Sequence, residues 1–229
     1  MAVLLLTATS ASPAGWSGFY ARDAARAAAT APEAVAVAPE GACLRAILDA
    51  QARHGIPDDL LLAIGLQEAG TRRDGRLTVW PWSVNAAGEG RRFDTRAAAE
   101  AWVRARRAAG VRSIDVGCLQ VNLRWHPDAF PTPEAGFDPA RNADYAARFL
   151  RDLHRRTGDW TTAAASYHSF TPGPRARYAA ALARNRRLAA TERDALRALA
   201  GSQPPSVAAT APRPPRAGWS GRGGLYARN

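Results

Sequence analysis

One carboxylate stands out for its neighbours. Ile64, Leu61 and Leu60 precede Glu68 at helical spacing, so the positions one and two turns back on its face are all apolar. A carboxylate on the last turn of such a helix is pushed toward its protonated form twice. Burial disfavours the charge, and the helix C-terminus carries negative partial charge. A glutamic acid raised toward neutrality can hold a proton and deliver it to a leaving oxygen. The same pattern also fits a carboxylate that emerges into solvent where the helix ends, and the spacing leaves both readings open.

Other reactive side chains are fewer. His54, His126, His154 and His168 share no face at metal-ligand spacing, and His126-Pro127 falls in a turn. They read as surface or structural histidines, and no metal or cofactor is expected. Cys43 and Cys118 are the two cysteines. An even pair fits one disulfide in an exported chain, or two reduced, buried side chains acting as small apolar groups.

Helices must position these residues. The 229-residue chain is long enough for one domain with tails. Its composition is rich in Ala and Leu and poor in β-branched residues, which favours helix. Helix is expected over 42–53, where Leu44, Ile47, Leu48 and Gln51 follow the helical period, and again from Pro57-Asp58-Asp59 to Ala69, closed by Gly70. Leu77 to Phe93 is aromatic, β-branched and Gly-punctuated, and reads as a short β-hairpin. Further helices are expected from Asp94 to Ala109, from Asp138-Pro139 to Arg156, from Asp159 through Tyr167, from Pro174 to Arg186, and from Thr191 to Ala200. The expected fold class is mainly α (α+β).

Residues 1–14 resemble the end of a truncated signal segment, although a positive n-region is missing. Residues 15–40 read as an Ala- and Pro-rich linker, 41–188 as the folded domain, and 189–229 as a C-terminal helix with a Pro/Ala/Arg-rich tail. The segment Ala14 to Arg22 recurs in part between Ala217 and Arg228, both copies containing Ala-Gly-Trp-Ser-Gly. The copies read as a duplication or as docking peptides. No run is long and apolar enough to span a bilayer, so an integral membrane protein is not expected.

The net charge is +11 and every basic residue is Arg. That balance fits a solvated basic surface or attraction to an anionic polymer. No helix-turn-helix, zinc or RNP pattern supports a nucleic-acid partner.

Five short motifs in order add to the case for Glu68. Leu66-Gln67-Glu68-Ala69-Gly70 resembles the E-S-G motif of soluble lytic transglycosylase (SLT) domains, and Trp80 to Asn85 looks like the N-P-x-A-x segment that follows it. Gly117-Cys118-Leu119-Gln120-Val121-Asn122 resembles G-L-M-Q-I-N, Ala165 to Ser169 resembles A-Y-N-A-G, and Tyr178 takes the place of the last motif tyrosine. The resemblance covers about residues 41–186. It implies a lysozyme-like helical domain that cleaves the β-1,4 MurNAc–GlcNAc bond of peptidoglycan without water, leaving 1,6-anhydro-MurNAc ends.

In that scheme Glu68 is the catalytic acid and then the base. Gln120 and Asn122 hydrogen-bond sugar, Leu119 packs on a sugar ring, and Asn85 stands where many members place a Ser that contacts the N-acetyl group. Tyr167 donates its hydroxyl near Glu68 or the acetamide, and Tyr178 supports it; each tyrosine also reads as a core aromatic with a satisfied hydroxyl. Ala69 replaces the motif Ser, His168 replaces the motif Asn, and Leu77 to Ala109 forms a long insertion. This pattern resembles the small specialised transglycosylases that open the wall for secretion or flagellar assemblies, and it implies export to the periplasm with peptidoglycan strands as partner.

A muramidase-type hydrolase would need a second carboxylate on the hairpin. Val79 to Ala87 contains none, and Asp74 and Glu89 flank it, which favours the transglycosylase. A non-catalytic glycan-binding or assembly factor is the remaining alternative.

Overall fold

The computed structural model describes residues 38–201. The signal-like segment, nearly all of the expected N-terminal linker, the Pro-rich tail and both Ala-Gly-Trp-Ser-Gly copies lie outside the described residues. Within them the chain is mainly helical with small antiparallel sheets, an α+β arrangement. Helix α1 (Pro39–Arg53) leads to α2 (Leu60–Ala69). Two hairpins follow, β1 (Gly70–Arg73) with β2 (Arg76–Val79), and β3 (Ser83–Ala86) with β4 (Glu89–Arg92). Then come α3 (Arg96–Ala108), β5 (Ile114–Val116), β6 (Val121–Asn122) and a 3-10 turn at Pro133–Phe137. Helices α4 (Pro139–Thr157), α5 (Trp160–Ala165), α6 (Pro172–Thr191) and α7 (Arg193–Gly201) complete it. No helix among the described residues is long and apolar enough to cross a membrane.

The main core is helical. Leu60 to Leu66 of α2 are all buried, as an apolar helix with no polar face requires. They pack with Cys43, Leu44 and Ile47 of α1, Leu150 and Leu153 of α4, and Tyr178 and Leu182 of α6. At Gly65 an added Cβ would lie 2.6 Å from Ile47 Cδ1, so α1 and α2 approach closely.

Capping follows sequence logic in most places. Asp138 and Asp159 accept from Arg141 N and Thr162 N at 2.9 and 2.8 Å, and Gly158 closes α4 in the left-handed region. Helix α2 differs. Asp59, at φ 51°, makes no side-chain cap, and Gln51 of α1 does so instead. Gln51 Oε1 accepts from Leu61 N at 3.1 Å, and its Nε2 donates to Asp59 Oδ1 at 3.2 Å. Asp59 is thereby free to pair with Arg193 (2.9 Å) and Arg197 (3.5 Å) of α7.

That pairing and the burial of Leu196, Leu199 and Ala200 in the main core bring α7 into the domain. The boundary expected at 188 cuts through α6. Among the described residues, helix already begins at Pro39, inside the expected linker, and the last helix continues to Gly201. Thr191 ends α6 rather than capping α7, and Thr95 rather than Asp94 caps α3, its hydroxyl accepting from Ala98 N at 3.2 Å while Asp94 pairs with Arg73 at 3.0 Å.

The single hairpin expected over 77–93 is two hairpins. The second belongs to a four-stranded sheet ordered β4-β3-β5-β6. Val84, Val103, Ile114, Val116 and Phe137 form its own small core with α3. The register places Asn85 opposite Asp115, two residues 30 apart in sequence.

Cys43 and Cys118 are joined, tying α1 to the turn between β5 and β6 across a sequence separation of 75. Cross-linking a loop of that length is expected to contribute about 4 kcal/mol by restricting the unfolded chain. Denaturant unfolding of Cys118→Ala, or of the wild type with reductant, should show a loss of that order. An unchanged midpoint would reject the structural role of the bond.

Candidate active site

Glu68 sits on the last turn of α2, with the main core behind it and a cavity of about 750 Å³ in front. A smaller cavity of about 310 Å³, lined by His168, Arg177 and Tyr178 among others, reaches Glu68 as well. The carboxyl group therefore lies where the two hollows meet.

Desolvation by the core pushes the Glu68 pKa up from 4.5 to about 7, with the negative charge of Asp115 adding to the rise. The hydroxyl of Tyr178 opposes it by donating to Glu68 Oε1 at 2.6 Å, which favours the carboxylate. Near neutral pH, Glu68 is thus poised between acid and base. Burial raises Tyr167 and Tyr178 well above the usual phenol range, so both remain neutral donors.

The two tyrosines exchange the roles expected of them. Tyr178 donates to Glu68, whereas Tyr167 donates to the Leu119 carbonyl at 3.1 Å and braces the turn beside the site. Tyr178 is buried under His168, whose ring stacks on it at 5.3 Å with an interplanar angle of 7°. Helix α6 can deliver Tyr178 to Glu68 because Asn185 of the same helix holds Gln67.

Asn85, Gln120, Asn122 and Tyr167 line the main cavity with Glu68. Their free valences differ. Asn85 Oδ1 accepts from Gly88 N at 2.9 Å, which leaves its amide N–H groups to donate into the cavity. Gln120 Nε2 donates to Ser83 O and Gly117 O at 3.0 and 2.9 Å, leaving Oε1 as an acceptor. Asn122 lines the cavity with its amide engaged internally. Its Nδ2 donates to Asp115 Oδ1 (2.7 Å) and Ser113 Oγ (3.1 Å), and its Oδ1 accepts from Arg124 N and Trp125 N. Leu119 is a correction. It is fully buried in the main core, so it cannot pack on a ligand in the cavity.

The residue that sequence reasoning missed is Asp115. It lies outside the expected hairpin, but the pairing of β5 with β3 carries it into the cavity beside Asn85. Its pKa is also raised by burial, against the Asn122 hydrogen bond and the electrostatic influence of His168. A second carboxylate therefore shares the hollow with Glu68, and the argument from its absence does not hold. The alternation Ile114-Asp115-Val116, with Asp115 as the one polar residue between two buried ones, is the signal that could have found it. Ser166 also lines the cavity. Its hydroxyl is buried with no hydrogen-bond partner. No cluster of His, Cys, Asp and Glu among the described residues could hold a metal ion.

The raised Glu68 pKa links to stability. Between about pH 4.5 and pH 7 the folded state binds this proton more tightly than the unfolded chain, so the contribution of Glu68 to stability is fully present below 4.5 and is lost as pH rises through 7. The loss is about 3 kcal/mol at most, at 1.36 kcal/mol per pKa unit. Glu68→Gln retains an acceptor for Tyr178 and carries no charge. It should be more stable than the wild type at pH 8 and similar at pH 4 in denaturant unfolding. Equal stabilities at pH 8 would show that Glu68 is not desolvated.

No family model, curated protein or solved structure matches the chain.

Proposed function

We propose that the protein is a lytic transglycosylase with a lysozyme-like helical domain, which cleaves peptidoglycan strands between MurNAc and GlcNAc. The observation that carries this reading is Glu68, raised to about 7 at the meeting of two cavities and hydrogen-bonded by Tyr178.

The Glu68 carboxylic proton passes to the glycosidic oxygen as the C1–O bond breaks. The substrate's acetamide oxygen closes on C1, and the acetamide fits the free amide N–H groups of Asn85. Glu68, now a carboxylate, takes the proton from the C6 hydroxyl, and O6 displaces the acetamide oxygen at C1. An anhydro ring forms, no water is consumed, and Glu68 regains its proton. Burial makes the first step possible, and the Tyr178 hydroxyl stabilises the carboxylate between the steps.

Export to the periplasm accords with the Cys43–Cys118 disulfide, which persists in oxidising compartments. Service to a secretion or flagellar assembly rests on the resemblance carried by Ala69, His168 and the inserted segment.

Asp115 supports a second reading, a muramidase-type hydrolase in which this carboxylate activates water or stabilises the cationic centre. Digestion of purified peptidoglycan, with mass spectrometry of the products, separates the two. The transglycosylase gives anhydro ends that persist in Asp115→Asn and vanish in Glu68→Gln. Reducing ends lost in both variants would establish hydrolysis. Product from Glu68→Gln near the wild-type level would reject both.

Activity that needs protonated Glu68 should fall as pH rises through about 7. Tyr178→Phe removes the bond that favours the carboxylate. It should move this limb upward in pH and lower kcat about a hundredfold, the low end of the range for a group stabilising charge at a reacting centre. A limb that stays put would remove Tyr178 from the site chemistry.

A further inference from the structure

We propose that Trp125 and Phe170 are stacking platforms for sugar rings in the Glu68 cleft, and that the guanidinium groups of Arg124 and Arg156 laid on them bind carboxylates carried by the glycan. The inference rests on the reading of Glu68 as a glycan-cleaving acid, and it assigns the ligand chemistry of four residues that no motif covers.

Trp125 and Phe170 are the large hydrophobic side chains left exposed among the described residues, at 67% and 51%. Exposing such rings forgoes burial energy, and an exposed apolar surface beside a polar cavity marks a binding site. Both rings line the cavity that holds Glu68 and Asp115. The hollow thus combines polar groups in Asn85, Asp115 and Gln120 with aromatic walls. A pyranose needs that combination, because its ring faces present C–H groups and its edges present hydroxyls.

The platforms are built features. Asn122 Oδ1 accepts from Arg124 N (3.0 Å) and Trp125 N (3.1 Å), fixing the turn that carries the indole. The same Asn122 holds Asp115, so one amide sets the platform relative to the carboxylate. Ser169 Oγ accepts from Thr171 N at 3.1 Å, closing the turn that carries Phe170.

Each ring bears a guanidinium on one face. Arg124 lies 4.8 Å from the Trp125 centroid and Arg156 lies 4.9 Å from that of Phe170. Such stacking restricts the ring before a ligand arrives, which lowers the entropy cost of binding. Neither guanidinium has an ion pair among the described residues, so the planar donors remain available. A strand that offers apolar ring faces and carboxylates side by side satisfies both halves of each platform. Muramyl residues do so through the lactyl group, free in a strand stripped of peptides or extended by an acidic peptide stem.

The test uses the full-length Glu68→Gln protein, so that binding is read without turnover, and isothermal calorimetry with two probes. One probe is peptide-free glycan strands with lactyl carboxylates; the other is neutral N-acetylglucosamine oligomers. Trp125→Ala and Phe170→Ala are each expected to weaken both probes about fivefold to tenfold, the scale of one aromatic contact, and Trp125→Phe should restore most of the loss. Arg124→Gln and Arg156→Gln should weaken the charged strands and leave the neutral oligomers unchanged. In the active protein, Trp125→Ala should raise KM with little change in kcat.

Undiminished binding by both alanine variants would overturn the platforms. Arginine variants that affect the two probes equally would overturn the carboxylate assignment. If the parent binds and the wild type cleaves glycan while the platform variants behave like the parent, only this inference falls. If the wild type neither binds nor cleaves any glycan, the reading of Glu68 falls with it.

Discussion

The carboxamide of Asn142, fully buried on α4, holds the site's second wall in place. Its Oδ1 accepts from Leu119 N at 2.8 Å, and its Nδ2 donates to Val116 O and Gly136 O, both at 2.9 Å. Three backbone groups that would otherwise be stranded without water are satisfied by one side chain, and each stranded group would cost about 1–3 kcal/mol. The Cys43–Cys118 bond fastens the same turn from the side of α1. Gly117, at φ +78°, lets the clamp close: an added Cβ would lie 2.5 Å from both Gly136 O and Asn142 Nδ2. Asp115, Gln120 and Asn122 flank this clamped turn, so their positions derive from it.

The molecule divides its labour between two cores. The helical core surrounds Glu68 with apolar side chains and thereby sets its proton affinity. The sheet core supplies the groups that face it, with hydrogen bonds already made or deliberately left open. The long segment between the second helix and the clamped turn is the scaffold of this second wall. Its strand β3 supplies Asn85 and pairs with the strand that carries Asp115.

What could be read in the chain follows the range of the forces involved. The apolar face behind Glu68 was legible because helical spacing places Ile64, Leu61 and Leu60 there, although the spacing left open whether the carboxylate is desolvated or emerges into solvent. The caps at Asp138 and Asp159 were legible because capping is local. The helical core and the β3–β4 hairpin followed from periodicity and composition, whereas the first hairpin and the added strands β5 and β6 did not. Asp115 was not legible, because strand pairing across 30 residues leaves no periodic trace. Asn142 was not legible either, since a lone Asn inside a helix looks the same whether it faces solvent or clamps a turn. The tyrosines were placed near the site but their partners were exchanged, because two residues on neighbouring elements cannot be ranked by distance from order alone. Leu119 sits in a motif whose position suggested contact with ligand, yet the next residue turns outward and Leu119 turns in.

That outward turn at Gln120 has a consequence for how the protein tolerates change. The backbone there lies at φ 45°, a left-handed conformation that costs a side chain about 1–2 kcal/mol and that glycine adopts freely. Glutamine occupies it all the same, and its amide reaches back to Ser83 O and Gly117 O. Glycine here would relieve the backbone and at the same stroke remove both of those hydrogen bonds. The strain at this turn and the acceptor that faces the cavity are therefore kept or lost together.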